Sequence, residues 1–67
     1  MENLTLGEKL SLLRKRKKLT QSELSKITGI HLANISKYEL DNSMPSLLIF
    51  KKLVQALDTS ADYLLFT

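Results

Sequence analysis

The stretch TQSELSKITGIHLANISKYE, residues 20–39, decides the fold of this chain. Thr20 with Glu23 three residues later is the pattern of a capping box, in which each side chain bonds the other residue's backbone N–H at a helix start. Gly29 stands where the C-terminus of that helix needs a left-handed residue, and His31 begins the next helical pattern. The stretch therefore predicts two short helices joined by a tight glycine turn.

The size and composition of the chain predict one domain, residues 1–67, held together by its core alone. A domain of 67 residues buries only about 60% of its unfolded surface, so most of the 43% apolar residues are needed in a single core. The chain has no cysteine, which excludes a disulfide framework or a thiolate metal site. A single histidine does not build a metal site by itself. We expect no metal, no cofactor and no small-molecule ligand.

Helix signals continue on both sides of this stretch. Thr5 with Glu8 is a second capping box, while Ser46 and Ser60 are candidate N-caps after the loop at Pro45 and the break at 58–59. These signals predict five helices and no strand. Apolar residues at helical spacing predict the core, namely Leu6, Leu10, Leu13, Leu24, Ile27, Ile30, Ile35, Tyr38, Leu47, Phe50, Leu53, Val54, Leu57, Tyr63, Leu64 and Phe66. Leu12 falls outside this pattern and is expected on the surface.

The charge is uneven along the chain. The net charge is +3, and residues 14–18 are five consecutive basic residues. Such a run is either a solvated helix end that complements the helix dipole or a contact for nucleic acid or an anionic membrane. No apolar run approaches the ~20 residues of a membrane span, and the N-terminus has no signal-peptide pattern. We therefore expect a cytoplasmic protein that does not span a membrane.

One face of the helix at residues 31–39 is small and free of acidic groups. At 100° per residue, four of its side chains fall within an arc of about 140°. They are Leu32, Ala33, Ser36 and Lys37, with Asn34 on the boundary. Ile35 and Tyr38 point the opposite way, toward the core. A helix that enters the major groove needs such a face, because a carboxylate is repelled by the phosphates. Any short amphipathic helix also has an outward face, so this pattern alone leaves both interpretations open.

Several short motifs stand in a fixed order along the chain. They are Leu6-Gly7, Leu10 and Leu13-Arg14, then LTQSEL at 19–24, GI at 29–30, IS-K-YE at 35–39, PSL…F…L…AL from 45 to 57, and S-x-D-Y-L-L at 60–65. In this order they resemble the phage-repressor and Cro-like (XRE-type) family of helix-turn-helix DNA-binding domains. The resemblance covers nearly the whole chain. It implies a compact all-α, five-helix, lambda-repressor-like fold with the helix-turn-helix at helices 2 and 3, and a transcriptional regulator whose partner is double-stranded DNA.

The resemblance also implies roles for individual residues. Those that match the family's base-reading positions are Leu32, Ala33, Ser36 and Lys37, with Asn34 as a secondary candidate. Those expected near phosphate are Thr20, Gln21, His31, Asn42 and Ser43. Independently of the family, a helix N-terminus binds anions. Gln21 is alternatively an exposed helix former, and His31 alternatively a plain helix cap.

Two residues match a structural ion pair of the family. Arg14 and Glu39 are implied to form a buried pair between helix 1 and the end of helix 3. Arg14 is then structural, and only residues 15–18 of the basic run remain for DNA or solvent.

The chain departs from the family on the reading face and after two helices. Leu32 and Ala33 stand where polar side chains are usual, and both can pack on a thymine methyl group without making a bidentate hydrogen bond. This favours readout of A·T-rich steps and DNA shape, with Lys37 at a guanine. Asp41 or Asn42 replaces a common glycine after helix 3, where either can adopt a left-handed conformation, and a second common glycine is replaced at position 58.

Leu48 and Ile49 lie off the predicted core stripe of helix 4. They are either scattered or loosely buried residues or part of a subunit interface, which would also include residues near the C-terminus, namely Leu64, Leu65 and Phe66. A homodimer would set two recognition helices about one DNA turn apart on a pseudo-palindromic site. The rival function is a protein-interaction module on the same fold, and an antitoxin or controller protein is equally consistent. No catalytic triad, metal cluster or phosphate-binding glycine loop predicts an enzyme.

Overall fold

The computed structural model describes residues 3–66, which form five helices joined by short turns. The helices are α1 (Leu6–Arg16), α2 (Gln21–Thr28), α3 (Leu32–Glu39), α4 (Leu47–Ala56) and α5 (Ala61–Phe66). Residues 3–66 contain no strand, so the all-α prediction is confirmed. Within that range no helix is long and apolar enough to cross a membrane.

Polar side chains begin the helices where the sequence predicts them. Thr5 and Thr20 are the N-caps of α1 and α2, and each forms a complete capping box with the glutamate three residues later. Ser46 accepts a hydrogen bond from the N–H of Ile49, and Ser60 accepts one from the N–H of Tyr63. These bonds satisfy N–H groups that have no partner inside the helix, which is why the boundaries follow the sequence closely.

The core is a single apolar cluster to which all five helices or their turns contribute. α3 packs on α1 and α2, α4 packs on α2, and α5 packs on α1. The buried apolar residues are Leu10, Leu24, Ile30, Ile35, Tyr38, Leu53, Leu57 and Leu64. All eight belong to the predicted core. Because α3 contributes only Ile35 and Tyr38, its other face remains outside.

The core stripe of α4 differs from the prediction. Leu47 is 85% exposed, whereas Ile49, placed off the stripe by the sequence analysis, packs against the core cluster. Ile49, Leu53 and Leu57 are spaced by four residues and differ by about 40° per step around the helix. Leu47 lies about 120° from Leu53, too far to reach the same core. The prediction of Leu53 and Leu57 was correct, but the predicted stripe also included Phe50 and Val54, which pack at the edge of the core, and Leu47, which lies outside it.

Two further predicted core residues are on the surface. Ile27 is 61% exposed beside α4, and Phe66 is 80% exposed at the end of α5. α2 is eight residues long and reaches the core through Leu24, so Ile27 remains at the rim. Leu12, predicted to be a surface leucine, is half-buried.

Three helices end in a left-handed residue that is not glycine. Lys18, Asp41 and Asp58 have φ angles of 58°, 60° and 54°, and each follows the residue that caps α1, α3 or α4. This conformation is unfavourable for a residue with a Cβ. Each of these residues therefore has a conformational cost that glycine at the same position would not have.

Candidate nucleic-acid interface

The turn between α2 and α3 is fixed by a left-handed glycine and by hydroxyl groups. Gly29 has a φ of 77°, and its N–H donates to the Ser25 carbonyl at 2.8 Å. Thr28 Oγ1 donates to the Leu24 carbonyl and accepts the N–H of Ile30 at 3.2 Å. Ile30 is buried just before α3 starts. Turn geometry and burial together fix the angle between the two helices.

The outward face of α3 consists of the residues predicted to read bases. Leu32, Ala33 and Lys37 are exposed, and Asn34 and Ser36 are half-buried. Glu39 is the sole acidic residue of α3, and its side chain is only 5% exposed. The face therefore offers apolar, hydroxyl, amide and ammonium groups and no carboxylate.

Arg14 and Glu39 form a two-point ion pair below this face. Arg14 Nε lies 2.7 Å from Glu39 Oε2, and Arg14 Nη2 lies 3.0 Å from Glu39 Oε1. The remaining guanidinium nitrogen, Nη1, donates to the Leu19 carbonyl at 2.7 Å. Gln21 Nε2 donates to Glu39 Oε1 at 3.0 Å. One carboxylate thus joins α1, the start of α2 and the end of α3.

The network changes the acid–base properties of its members. Burial favours the neutral form of Glu39, but hydrogen bonds from Arg14 and Gln21 and the Arg14 charge favour the ionised form more strongly. The pKa of Glu39 is therefore below its ordinary value. The hydrogen bond to Glu39 raises the pKa of Arg14. Both groups remain charged at neutral pH.

The start of α2 carries N–H groups for an anion. Thr20 Oγ1 accepts the Glu23 N–H at 3.0 Å, and Glu23 Oε1 accepts the Thr20 N–H at 2.8 Å, so the capping box uses the hydroxyl oxygen and the amide of Thr20. The N–H groups of Gln21 and Ser22 belong to the first turn and have no acceptor inside the helix. An anion here would meet these N–H groups and the Gln21 amide.

The remaining predicted phosphate contacts lie at the two ends of α3. His31 is the N-cap of α3, is exposed and makes no side-chain capping bond. Asn42 and Ser43 are exposed in the loop after α3, where the N–H of Asn42 donates to the Lys37 carbonyl at 2.9 Å. These side chains lie at the two ends of the outward face of α3 and are exposed to solvent.

The basic run divides into one structural residue and a surface group. Arg14 is buried, whereas Lys15, Arg16, Lys17 and Lys18 are exposed at the end of α1 and in the turn that leads to α2.

Residues 3–66 hold no cluster of histidine, cysteine and acidic side chains suited to a metal ion.

Two residues of the predicted subunit interface face the core instead of the surface. Leu64 is 2% exposed and belongs to the core, and Ile49 is half-buried against it. Neither presents an apolar surface to a partner, because α5 uses Leu64 and α4 uses Ile49 to pack inward. Leu48, Leu65 and Phe66 are exposed at 65%, 52% and 80%.

The contacts of two polar residues that hold the scaffold were not predicted. Asp41 accepts hydrogen bonds from Thr5, the N-cap of α1, and from Gly7 in its first turn, and no local pattern indicates that distant target. Lys9 is only 5% exposed, and its ammonium group donates to the Tyr63 and Leu64 carbonyls at 2.9 and 3.4 Å. The spacing of Lys9 from Leu6 and Leu13 places it on the buried face of α1, so this signal was present.

Comparisons with known proteins agree with this geometry. A model of the helix-turn-helix family matches residues 10–64. The chain belongs to the helix-turn-helix family. A search of curated protein sequences gave no match.

Among solved structures, the P22 c2 repressor in complex with synthetic operator 9T in the presence of Tl+ is similar, with a TM-score of 0.90 and 33% identity over 96% of this chain and 97% of that one. The solution structure of the DNA-binding domain of the P22 c2 repressor has a TM-score of 0.87 and 34% identity, covering 97% of this chain and 86% of that one. A HipB variant in complex with an O2 20mer has a TM-score of 0.71 and 31% identity, covering 90% and 89%. These three solved structures thus share the fold of this chain at about one-third sequence identity.

Proposed function

We propose that this helix-turn-helix protein is a sequence-specific DNA-binding transcriptional regulator of the repressor type. The observation that carries the proposal is the outward face of α3, which presents Leu32, Ala33 and Lys37 to solvent while its single carboxylate is ion-paired in the interior. The major groove of B-DNA is about 12 Å wide and admits one α-helix. α3 is the helix that enters it.

Relatives of known structure support this assignment. Both the P22 c2 repressor, bound to a synthetic operator, and HipB, bound to an O2 20mer, share the fold at 33% and 31% identity. From this likeness we infer that the present chain also binds DNA, with residues 1–67 acting as one domain in the cytoplasm. The proposed function involves no catalytic step and no cofactor.

Phosphate contacts orient the protein on the duplex, and base contacts specify the sequence. The phosphate contacts come from the start of α2, through the N–H groups beside Thr20 and the Gln21 amide, and from His31, Asn42 and Ser43. The base contacts come from Leu32, Ala33, Asn34, Ser36 and Lys37. Because Leu32 and Ala33 offer only apolar contact, we expect a preference for thymine near the start of α3 and for guanine opposite Lys37.

A homodimer is part of the proposal, on a surface that shares only Leu65 with the predicted interface. An apolar groove of about 640 Å³ runs between α1, α4 and α5, and Leu6, Met44, Leu47, Phe50, Val54 and Leu65 are among its lining residues. Leu47 and Met44 are 85% and 72% exposed, and contiguous exposed apolar surface marks a contact site. The same groove on a second copy supplies a matching apolar surface, as a two-fold interface requires.

Selection from a randomised pool of double-stranded DNA tests the function. The protein should enrich a pseudo-palindromic site, and its affinity should fall steeply as salt rises, because bound phosphates release counterions. Retention of DNA without any enriched sequence would overturn the regulator assignment. Binding that is insensitive to salt would point to the rival, a protein-interaction module.

Sedimentation at micromolar concentration tests the dimer. Leu47→Glu and Leu65→Glu place charge in the groove and should give monomers, both free and on the selected site. Ile27→Glu is the control, since Ile27 is 61% exposed on another part of the surface. If the unmodified protein is a monomer even on DNA, or if Ile27→Glu has the same effect, the groove is not the interface.

A further inference from the structure

Asp41 links the end of α3 to the start of α1. Its carboxylate Oδ1 accepts the Gly7 N–H at 2.9 Å, and Oδ2 accepts the Thr5 hydroxyl at 2.6 Å. Thr5 is the N-cap of α1 and simultaneously accepts the N–H of Glu8. The Asp41 carboxylate therefore lies at the N-terminus of α1, where a negative charge is favourable.

The two helices approach so closely at this point that only glycine fits. A Cβ on Gly7 would lie 2.5 Å from the Glu39 carbonyl oxygen and 2.6 Å from that of Tyr38. The N-terminal turn of α1 thus contacts the C-terminal turn of α3 backbone to backbone, with opposite dipole ends facing each other. Asp41 closes this contact with a side chain.

α3 is consequently held on α1 at two points. One is Asp41 on Thr5 and Gly7, and the other is Glu39 on Arg14. Gly7 and Arg14 are seven residues apart, which is about 10 Å along the helix axis. A single anchor leaves a pivot, whereas two anchors at this separation along α1 restrict how the C-terminal end of α3 can rotate.

The backbone at position 41 is one that glycine would suit. Asp41 has a φ of 60°, a conformation that glycine adopts at no steric cost. Aspartate brings backbone strain and a negative charge close to the predicted phosphate contacts Asn42 and Ser43. The hydrogen bonds to Thr5 and Gly7 are what aspartate adds and glycine lacks.

We propose that Asp41 is a positioning residue for base recognition, whose contacts with Thr5 and Gly7 set the tilt of α3 in the major groove. This inference rests on the proposed function. Base contacts require placement within about 0.5 Å and 10–20°, whereas phosphate contacts tolerate more movement and carry no sequence information. Loss of the Asp41 anchor therefore lowers discrimination between sequences and leaves general DNA binding in place.

The test uses a pair of variants with the same charge. Asp41→Asn and Asp41→Gly both remove the negative charge, but asparagine retains groups that can bond Thr5 and Gly7 and tolerates a left-handed backbone. Asp58→Gly is the control, because Asp58 has a φ of 54° after α4 and its replacement makes the same backbone and charge change elsewhere. Thermal unfolding establishes that each variant is folded at the assay temperature.

The measured quantity is the ratio of dissociation constants for unrelated DNA and for the site that the unmodified protein selects. Asp41→Gly should lower this ratio about tenfold, the scale of one lost hydrogen bond, while Asp41→Asn and Asp58→Gly should change it less than about threefold. Equal ratios for Asp41→Gly and Asp41→Asn would overturn the inference. If the unmodified protein selects no site at all, the proposed function fails instead, so the two failures are distinguishable.

Discussion

Arg14 on α1 and Glu39 at the end of α3 form an ion pair through two parallel hydrogen bonds, at 2.7 and 3.0 Å. Their side chains are only 10% and 5% exposed. A planar guanidinium matches a carboxylate in this two-point geometry, which an ammonium group does not reproduce. The pair joins residues 25 positions apart in the sequence and connects α1 to the end of α3.

Replacing Glu39 should cost a large part of the stability of so small a domain. In Glu39→Gln the buried Arg14 loses its charge partner, and we expect the free energy of unfolding to fall by about 2–3 kcal/mol. Urea denaturation followed by circular dichroism measures the change. Glu23→Gln is the matched control, because Glu23 is an exposed carboxylate within a capping box, and its loss of stability should be clearly smaller than that of Glu39→Gln. Equal losses in the two variants would contradict a special role for the buried pair.

The same pair predicts a loss of stability in acid. The pKa of Glu39 is lower in the folded protein than its ordinary value of 4.5, so the unfolded state binds a proton more readily. The stabilisation is therefore fully present above about pH 5 and decreases as the pH falls through the folded pKa. Denaturation midpoints from pH 7 to pH 3 should show this decrease. Glu39→Gln should flatten the acid side of the profile, and an unchanged slope in that variant would assign the decrease to other carboxylates.

Much of the scaffold could be predicted because its signals are local. Both capping boxes, the Gly29 turn and the inward pair Ile35 and Tyr38 depend on residues three or four positions apart. Such spacings translate directly into hydrogen bonds and shared faces of one helix. The Arg14–Glu39 pair has no local signal and was expected only because the motifs around it resemble a known family.

What could not be predicted depends on how the helices pack. Leu47 was predicted in the core and Ile49 outside it, and the structure has the reverse. Two overlapping apolar rows on α4 satisfy the same periodicity, and only the position of the neighbouring helices selects one. Asp41 was recognised as a left-handed residue, but its bonds to Thr5 and Gly7 connect positions far apart in the sequence. A pattern within one helix carries no information about such a contact.

We expect Lys9 to stabilise the last helix, α5, and to have no effect on the outward face of α3. Its ammonium group donates to the carbonyls of Tyr63 and Leu64 and lies 5.3 Å from the Tyr63 ring centroid. Lys9→Met keeps the aliphatic bulk but leaves these carbonyls without the cation, which should increase hydrogen exchange across residues 61–66 and cost about 1 kcal/mol. Lys52→Met, on the exposed side of α4, is the control. Unchanged exchange in α5 would mean that Lys9 acts only through packing.

Substitution of Lys37 tests whether α3 contacts a base near its C-terminal end or only the phosphate backbone of DNA. It is exposed on the outward face of α3, one turn beyond Ala33, where a lysine can donate to guanine O6 and N7. Lys37→Ala should therefore weaken binding to the selected site and abolish the preference at one base pair, a loss of about 1–3 kcal/mol in discrimination at that position. Binding to a panel of sites with each base pair substituted in turn measures this. A phosphate contact would instead weaken all sites equally and reduce the slope of log affinity against log salt by about 1. Lys52→Ala, an exposed lysine of α4, should leave both the preference and the slope unchanged.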